Sequence, residues 1–173
     1  MRRLAIAIPL ALFVFASAGC RMKTQPKVAV EDGQMASVVT AADPHTAVQF
    51  VRGLHGVENQ SWRWTMKNFT VTLRPPTGTA EKGARLEMKF VLPEVMYNRV
   101  GDMTVSAQVN GVNLGPEKYS KAGEAVYARD VPASALSGEV VSFDFSVDKG
   151  ISPTDQDPRE LALIVTSIGL SAK

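Results

Sequence analysis

Between residues 69 and 147 the apolar side chains recur at every second position, and that period more than anything else limits what this chain can fold into. In Phe69-Thr70-Val71-Thr72-Leu73 the large residues share one face and the threonines take the other. Leu86, Met88, Phe90 and Leu92 alternate with Arg85, Glu87, Lys89 and Val91. Met103, Val105, Ala107 and Val109 alternate with Thr104, Ser106 and Gln108, and Val141, Phe143, Phe145 and Val147 with Ser142, Asp144 and Ser146. A strand turns successive side chains to opposite faces, so each run offers one face to a core and one to water. That is the pattern of an antiparallel sheet covered on one side.

The connections agree with strands. Asn110-Gly111 follows the third run directly and favours a type I′ hairpin, which returns Val112-Asn113-Leu114 against the preceding strand. Arg74-Pro75-Pro76-Thr77-Gly78, Gly115-Pro116 and residues 150–158 read as loops, because proline removes a ladder donor and glycine relaxes the backbone. A short turn or helical piece is expected at residues 132–136. Residues 161–170 are apolar on both faces and rich in β-branched side chains, so a central strand is expected there. About eight strands at this spacing predict an all-β fold, a two-sheet antiparallel sandwich or a barrel.

The first twenty residues have a different character. Arg2 and Arg3 precede an apolar run from Leu4 to Phe15, too short for the roughly 20 residues of a stable membrane span. Small residues then lead to Cys20, and Ser17-Ala18-Gly19-Cys20 resembles the lipobox of bacterial lipoproteins. The match holds at Ala18, Gly19 and Cys20 and departs at Ser17, where that family carries an aliphatic residue. The resemblance implies a signal peptide over residues 1–19, lipidation of Cys20 by a diacylglyceryl group with, often, an N-acyl chain, and an exported protein held at a membrane. Two or more chains are what stable anchoring requires. Arg21, where inner-membrane lipoproteins of Gram-negative cells carry Asp, favours the outer membrane if the source is Gram-negative. Cleavage after Ala16-Ser17-Ala18 to release a soluble protein is the competing expectation. Cys20 is the only cysteine, so no internal disulfide can form, and lipidation gives an otherwise free exported thiol a use.

The whole chain has 19 basic and 17 acidic side chains. Loss of the leader removes Arg2 and Arg3 and no acid, which leaves the remainder balanced. No basic excess draws the mature protein to nucleic acid. Residues 20–45 are poor in large apolar groups and read as a tether, with the β-sandwich domain over residues 46–173.

Little in the sequence has the spacing of a catalytic site. His45 and His55 lie outside any metal-ligand spacing, and no nucleophile elbow, phosphate loop or dinucleotide fingerprint occurs. Glu58, Glu94, Asp102, Asp155 and Asp157 are the candidates for a paired-carboxylate site; all are expected in loops and nothing selects a pair. No enzyme, cofactor or catalytic metal is expected. Asp148, Asp155 and Asp157 supply oxygen ligands for a structural calcium, although the spacing is not that of an EF-hand and Asp before Pro is an ordinary turn signal.

The densest cluster of recognition-type residues is Gly53-Leu54-His55-Gly56-Val57-Glu58-Asn59-Gln60-Ser61-Trp62-Arg63-Trp64-Thr65. It holds both tryptophans, two positions apart, so in a strand they share a face. One reading puts them in the core with Arg63 turned to solvent. The other makes Trp62 and Trp64 a platform for a sugar ring, with Arg63, Glu58 and Asn59 as hydrogen-bonding neighbours. Arg159, just before the last strand, would need a carboxylate if buried, and Glu58 is the expected partner.

Gly56-Val57-Glu58, Trp62-Arg63-Trp64-Thr65, Leu92-Pro93-Glu94, Val109-Asn110-Gly111 and Asp157-Pro158-Arg159-Glu160-Leu161 together resemble a family of small bacterial β-sandwich modules. Such modules occur beside glycosyltransferase and surface-polysaccharide domains and as stand-alone exported proteins. The resemblance spans residues 48–170. It implies a jelly-roll-like fold similar to carbohydrate-binding modules. The expected function is therefore a membrane-anchored, non-catalytic binding module of the cell envelope with a cell-surface glycan as ligand. The alternative is a structural or assembly lipoprotein that contacts another envelope protein.

Overall fold

A computed structural model describes residues 35–173; the leader, Cys20 and the first part of the expected tether lie outside the described residues. Ten strands form in chain order: β1 (Val38–Thr40), β2 (Phe50–Glu58), β3 (Trp62–Leu73), β4 (Ala84–Leu92), β5 (Met103–Val109), β6 (Val112–Asn113), β7 (Glu117–Tyr119), β8 (Gly123–Val131), β9 (Val141–Val147) and β10 (Ile164–Ala172). Two short helices, α1 (Thr79–Lys82) and α2 (Glu94–Val100), and two 3-10 turns, Pro44–Gln49 and Ala133–Ala135, fill the connections. Every strand pairing is antiparallel. No helix among the described residues is long and apolar enough to cross a membrane.

The strands join in one curled antiparallel system, β6-β5-β9-β3-β10-β4-β8, and β3 is where it folds over. Residues 63 and 64 of β3 pair with β10, while residues 68–73 pair with β9. One twelve-residue strand thus belongs to both layers of a jelly-roll-like sandwich. The first layer is β3-β10-β4-β8, with β1 beside the far end of β10; the second is β3-β9-β5 with β6 and β7.

Alternation in the sequence becomes alternation in burial. In β4 the residues Ala84, Leu86, Met88, Phe90 and Leu92 are buried, and Arg85, Glu87 and Lys89 between them are exposed. β5 and β9 repeat the pattern. The layers meet through aromatic edges. Phe90 of β4 meets Tyr119 of β7 edge-on at 4.9 Å, and Tyr127 of β8 meets Phe145 of β9 at 6.3 Å. Phe69 stacks on its register partner Phe145 at 4.8 Å. Each fully buried ring of this kind contributes roughly 1.5–3 kcal/mol relative to exposure. The Tyr127 hydroxyl donates to the Gly115 carbonyl at 2.6 Å, so this buried phenol keeps its hydrogen bond.

The Asn110-Gly111 hairpin forms with both residues at positive φ, 46° and 78°, as a type I′ turn requires, and Val109 faces Val112. Three expectations need correction. The strand count exceeds eight because short pieces such as β1 and β7, three residues each, leave no periodic signal. Residues 94–100 form helix α2, anchored by buried Met96, so Glu94 opens a helix rather than lying in a loop. The folded part also takes in residues assigned to the tether. Val38–Thr40 pairs with β10, and the buried Gln49 amide bonds both backbone groups of Ala36 at 2.8 and 2.9 Å and the Thr72 carbonyl at 2.7 Å. Val39 and Ala41 are fully buried, a signal too small to read in so polar a segment.

Candidate recognition surface

The register of the first layer assigns each side chain to a face. Arg63, Val165, Phe90 and Ala125 oppose one another across β3, β10, β4 and β8. Val165 and Phe90 are buried, so this row faces the core. One step along, Trp64, Ile164, Val91 and Glu124 form the adjacent row across the same four strands. Because side chains alternate, this second row lies on the outer face, and its three apolar members are only half-buried. Thr40, Ser167, Lys89 and Val126 make the next outer row. Val126 is 44% exposed.

Trp62 shares the outer face with Trp64, two positions along β3, and is also half-buried. The two indoles are therefore neither sealed in the core nor free in solvent. Trp64 packs on the edge of the core cluster. The Trp62 Nε1 atom is buried and has no hydrogen-bond partner among the described residues. Between Val91 and Val126 the outer face holds a groove of about 480 Å³, lined also by Lys89, Glu124 and Thr166.

Arg63 lies on the opposite side of the sheet from the two indoles. It opposes Val165 on the inner side of the sheet, where Nε donates to the Ala41 carbonyl at 3.1 Å and Nη1 to the His55 carbonyl at 3.0 Å. Its guanidinium carbon also lies 5.1 Å from the centre of the Phe50 ring. Arg63 therefore ties β2 and the segment after β1 to β3, and is not the solvent-facing residue of the core reading.

Glu58 opposes Trp62 across the β2–β3 hairpin, whose turn residues Asn59 and Gln60 adopt φ of 46° and 53°. Arg159 Nη1 donates to Glu58 Oε1 at 2.6 Å. The same guanidinium binds Asp157 in a fork, Nε to Oδ1 and Nη2 to Oδ2, each at 2.9 Å. Asp157 Oδ1 also accepts the Arg159 backbone N–H at 3.0 Å. These bonds to Arg159 hold the Asp157 carboxyl down at about 2. Asp157 and Glu58 reciprocally raise the Arg159 guanidinium, which is about one-third exposed rather than buried.

The neighbouring bonds fix the loop to the hairpin. His55 lies within β2 rather than in a loop, and its Nε2 donates to the Glu160 carbonyl at 2.8 Å. Glu160 Oε1 accepts the Lys67 N–H at 2.7 Å. His45 is exposed in the 3-10 turn capped by Asp43. Three of the five candidate carboxylates, Glu58, Asp102 and Asp157, are held in ion pairs. Asp102 is held by Lys118 at 2.8 Å, and that ion pair keeps its carboxyl below the usual range. A general acid needs a raised carboxyl pKa, and Asp157 moves the opposite way. Asp157 also commits both oxygens to the Arg159 guanidinium, and among the described residues no group of three or more His, Cys, Asp or Glu side chains is placed to hold a metal ion.

Sequence reasoning singled out Trp62, Trp64 and Glu58 but missed Ile164, Val91, Lys89, Glu124 and Val126 on the same face. Their role depends on cross-strand register, which leaves no local motif.

No family model and no curated protein matches the chain. Among solved structures it is similar, over 81% of its length, to an acetyl xylan esterase (Est2A) from the rumen bacterium Butyrivibrio proteoclasticus, with 9% identity and a TM-score of 0.40. The chain spans about a third of that esterase, 34% of its length. A second similar structure is described as "CBM4 structure and function", with 12% identity over 79% of this chain and 85% of that one and a TM-score of 0.35.

Proposed function

We propose that this chain is a non-catalytic recognition module of the bacterial cell envelope, anchored by lipid on Cys20, which binds glycan on the outer face of its first layer. The carrying observation is the outer-face row of Trp64, Ile164 and Val91, with Trp62 beside it, half-buried across three adjacent strands. A pyranose ring has an apolar C–H face and a rim of hydroxyls, so it suits an indole platform bordered by charged groups. Trp62 and Trp64 supply the platform. The Glu58–Arg159–Asp157 cluster borders it at the hairpin end, and Lys89 and Glu124 border it at the β8 end.

The test is binding of the processed chain, purified in detergent, to a panel of bacterial and plant glycans, beside Trp64→Ala and Trp62→Ala. Binding lost in a variant whose circular dichroism is unchanged supports the reading. An absence of binding across the panel turns it toward an envelope protein as partner. The anchor has its own test: incorporation of labelled palmitate that Cys20→Ser abolishes. Label absent from the wild-type chain would favour release as a soluble protein.

A further inference from the structure

On the outer face of β4 and β8, nearly every charged side chain has a partner. Arg85 pairs with Asp130 at 3.2 Å and with Glu87 at 3.7 Å, and Lys173 pairs with Asp130 at 3.0 Å. Lys89 and Glu124 break that rule. They are diagonal neighbours, since Lys89 opposes Val126 and Val91 opposes Glu124. Opposite charges so placed are within reach of each other. No ion pair joins them, and neither side chain has another charged partner among the described residues. The space where they would meet is the groove of about 480 Å³ over Val91 and Val126.

We propose that Lys89 and Glu124 are the specificity-determining pair of this groove, and that they select an uncharged, hydroxyl-rich glycan chain over acidic and amino polysaccharides. The proposal rests on the recognition reading above and deepens it. An ammonium brings three donors and a carboxylate only acceptors, so together they satisfy hydroxyls that both give and accept hydrogen bonds. Each such bond is charge-assisted. The pair has no net charge. A uronate drawn to Lys89 meets Glu124, and an ammonium sugar drawn to Glu124 meets Lys89, so either charged ligand is penalised by repulsion. Val91 and Val126 give the floor on which an apolar sugar face rests. The same outer row runs on through Ile164 to Trp64, three strand spacings or about 14 Å, which fits a chain segment better than a single sugar.

The experiment titrates the processed chain in detergent with three neutral glycans (a soluble β-glucan, a xylan and a mannan), with polygalacturonate and with chitosan. Lys89→Met, Glu124→Gln and Glu124→Lys are titrated alongside. These side chains are exposed, so the variants should fold; circular dichroism checks that they do. The expected result is binding to at least one neutral glycan, weakened about tenfold by Lys89→Met and by Glu124→Gln, as for loss of one charge-assisted contact. Glu124→Lys should turn preference to polygalacturonate. A wild-type preference for either charged polymer overturns the selectivity while leaving glycan recognition intact. Neutral binding that Trp64→Ala removes but the three groove variants leave unchanged overturns the role of the pair and keeps the platform. No binding to any polymer overturns both.

Discussion

Arg159 and Glu58 stand 101 positions apart in the chain and meet at 2.6 Å, joining the loop before the last strand to the hairpin that carries Trp62. The contact is half-exposed, so its value lies in placing the loop rather than in deep stabilisation. A double-mutant cycle on Glu58→Gln and Arg159→Met should give a coupling of roughly 0.2–1 kcal/mol, in the range of exposed pairs. Amide exchange should meanwhile accelerate over residues 150–161 in Arg159→Met. Unchanged exchange there would mean that the Ile151–Leu161 bridge holds the loop unaided.

Asp157 sets the acid behaviour of the same loop. Its carboxyl sits near 2 in the folded protein, below the ordinary value of 3.8. A depressed carboxyl binds protons more weakly when folded, so its contribution is complete above the ordinary value and is lost as pH falls toward about 2. Urea midpoints measured between these limits should therefore fall with pH, and Asp157→Asn should fall less steeply. Asp102 and Asp130, also lowered by lysine partners, add loss of the same sign in both proteins.

The two tryptophans should respond differently to substitution. Trp62 carries a buried N–H that has no partner among the described residues, and an unsatisfied buried donor costs about 1–3 kcal/mol. Trp62→Phe removes that N–H along with some apolar area, so stability should change by less than about 1 kcal/mol. Trp64→Ala removes a side chain packed against the core edge and should cost about 2 kcal/mol. Denaturant unfolding of both variants checks the ordering.

Tyr127 combines burial with a hydroxyl that reaches the Gly115 carbonyl at 2.6 Å. Tyr127→Phe should cost about 1–2 kcal/mol, because the carbonyl loses its partner in a closed interface. Phe90→Ala, on the buried face of β4, should cost about 3–5 kcal/mol through the cavity it leaves. A reversed order would place the main inter-layer contact at the β8 edge.

Among the described residues strand β8 is the free edge of the first layer, and two of its carbonyls are already occupied. The Tyr119 hydroxyl donates to Val126 O at 3.0 Å, and Arg129 Nη1 donates to Ala128 O at 2.7 Å. Such caps deny acceptors to an incoming strand. The double variant Tyr119→Phe/Arg129→Ala should self-associate with rising concentration in sedimentation velocity, where the wild type should not.

The strands of the core were legible because alternation is local: Leu86, Met88, Phe90 and Leu92 announce a buried face whatever lies opposite. The Asn110-Gly111 turn was legible because positive φ at two adjacent positions restricts residue choice. β1 and α2 were not, since three residues or about two helical turns carry too little periodicity against a polar background.

The site divides along the same line. That Trp62 and Trp64 share a face follows from their spacing in one strand, and the sequence alone determines it. Which face, and in what company, is a question of register between strands tens of residues apart. Only the tertiary structure places Trp64 in a row with Ile164, Val91 and Glu124, and turns Arg63 inward to the Ala41 and His55 carbonyls. A shift of one residue in any of these pairings would exchange the two faces of that strand, and nothing within a strand's own residues encodes its partner's register.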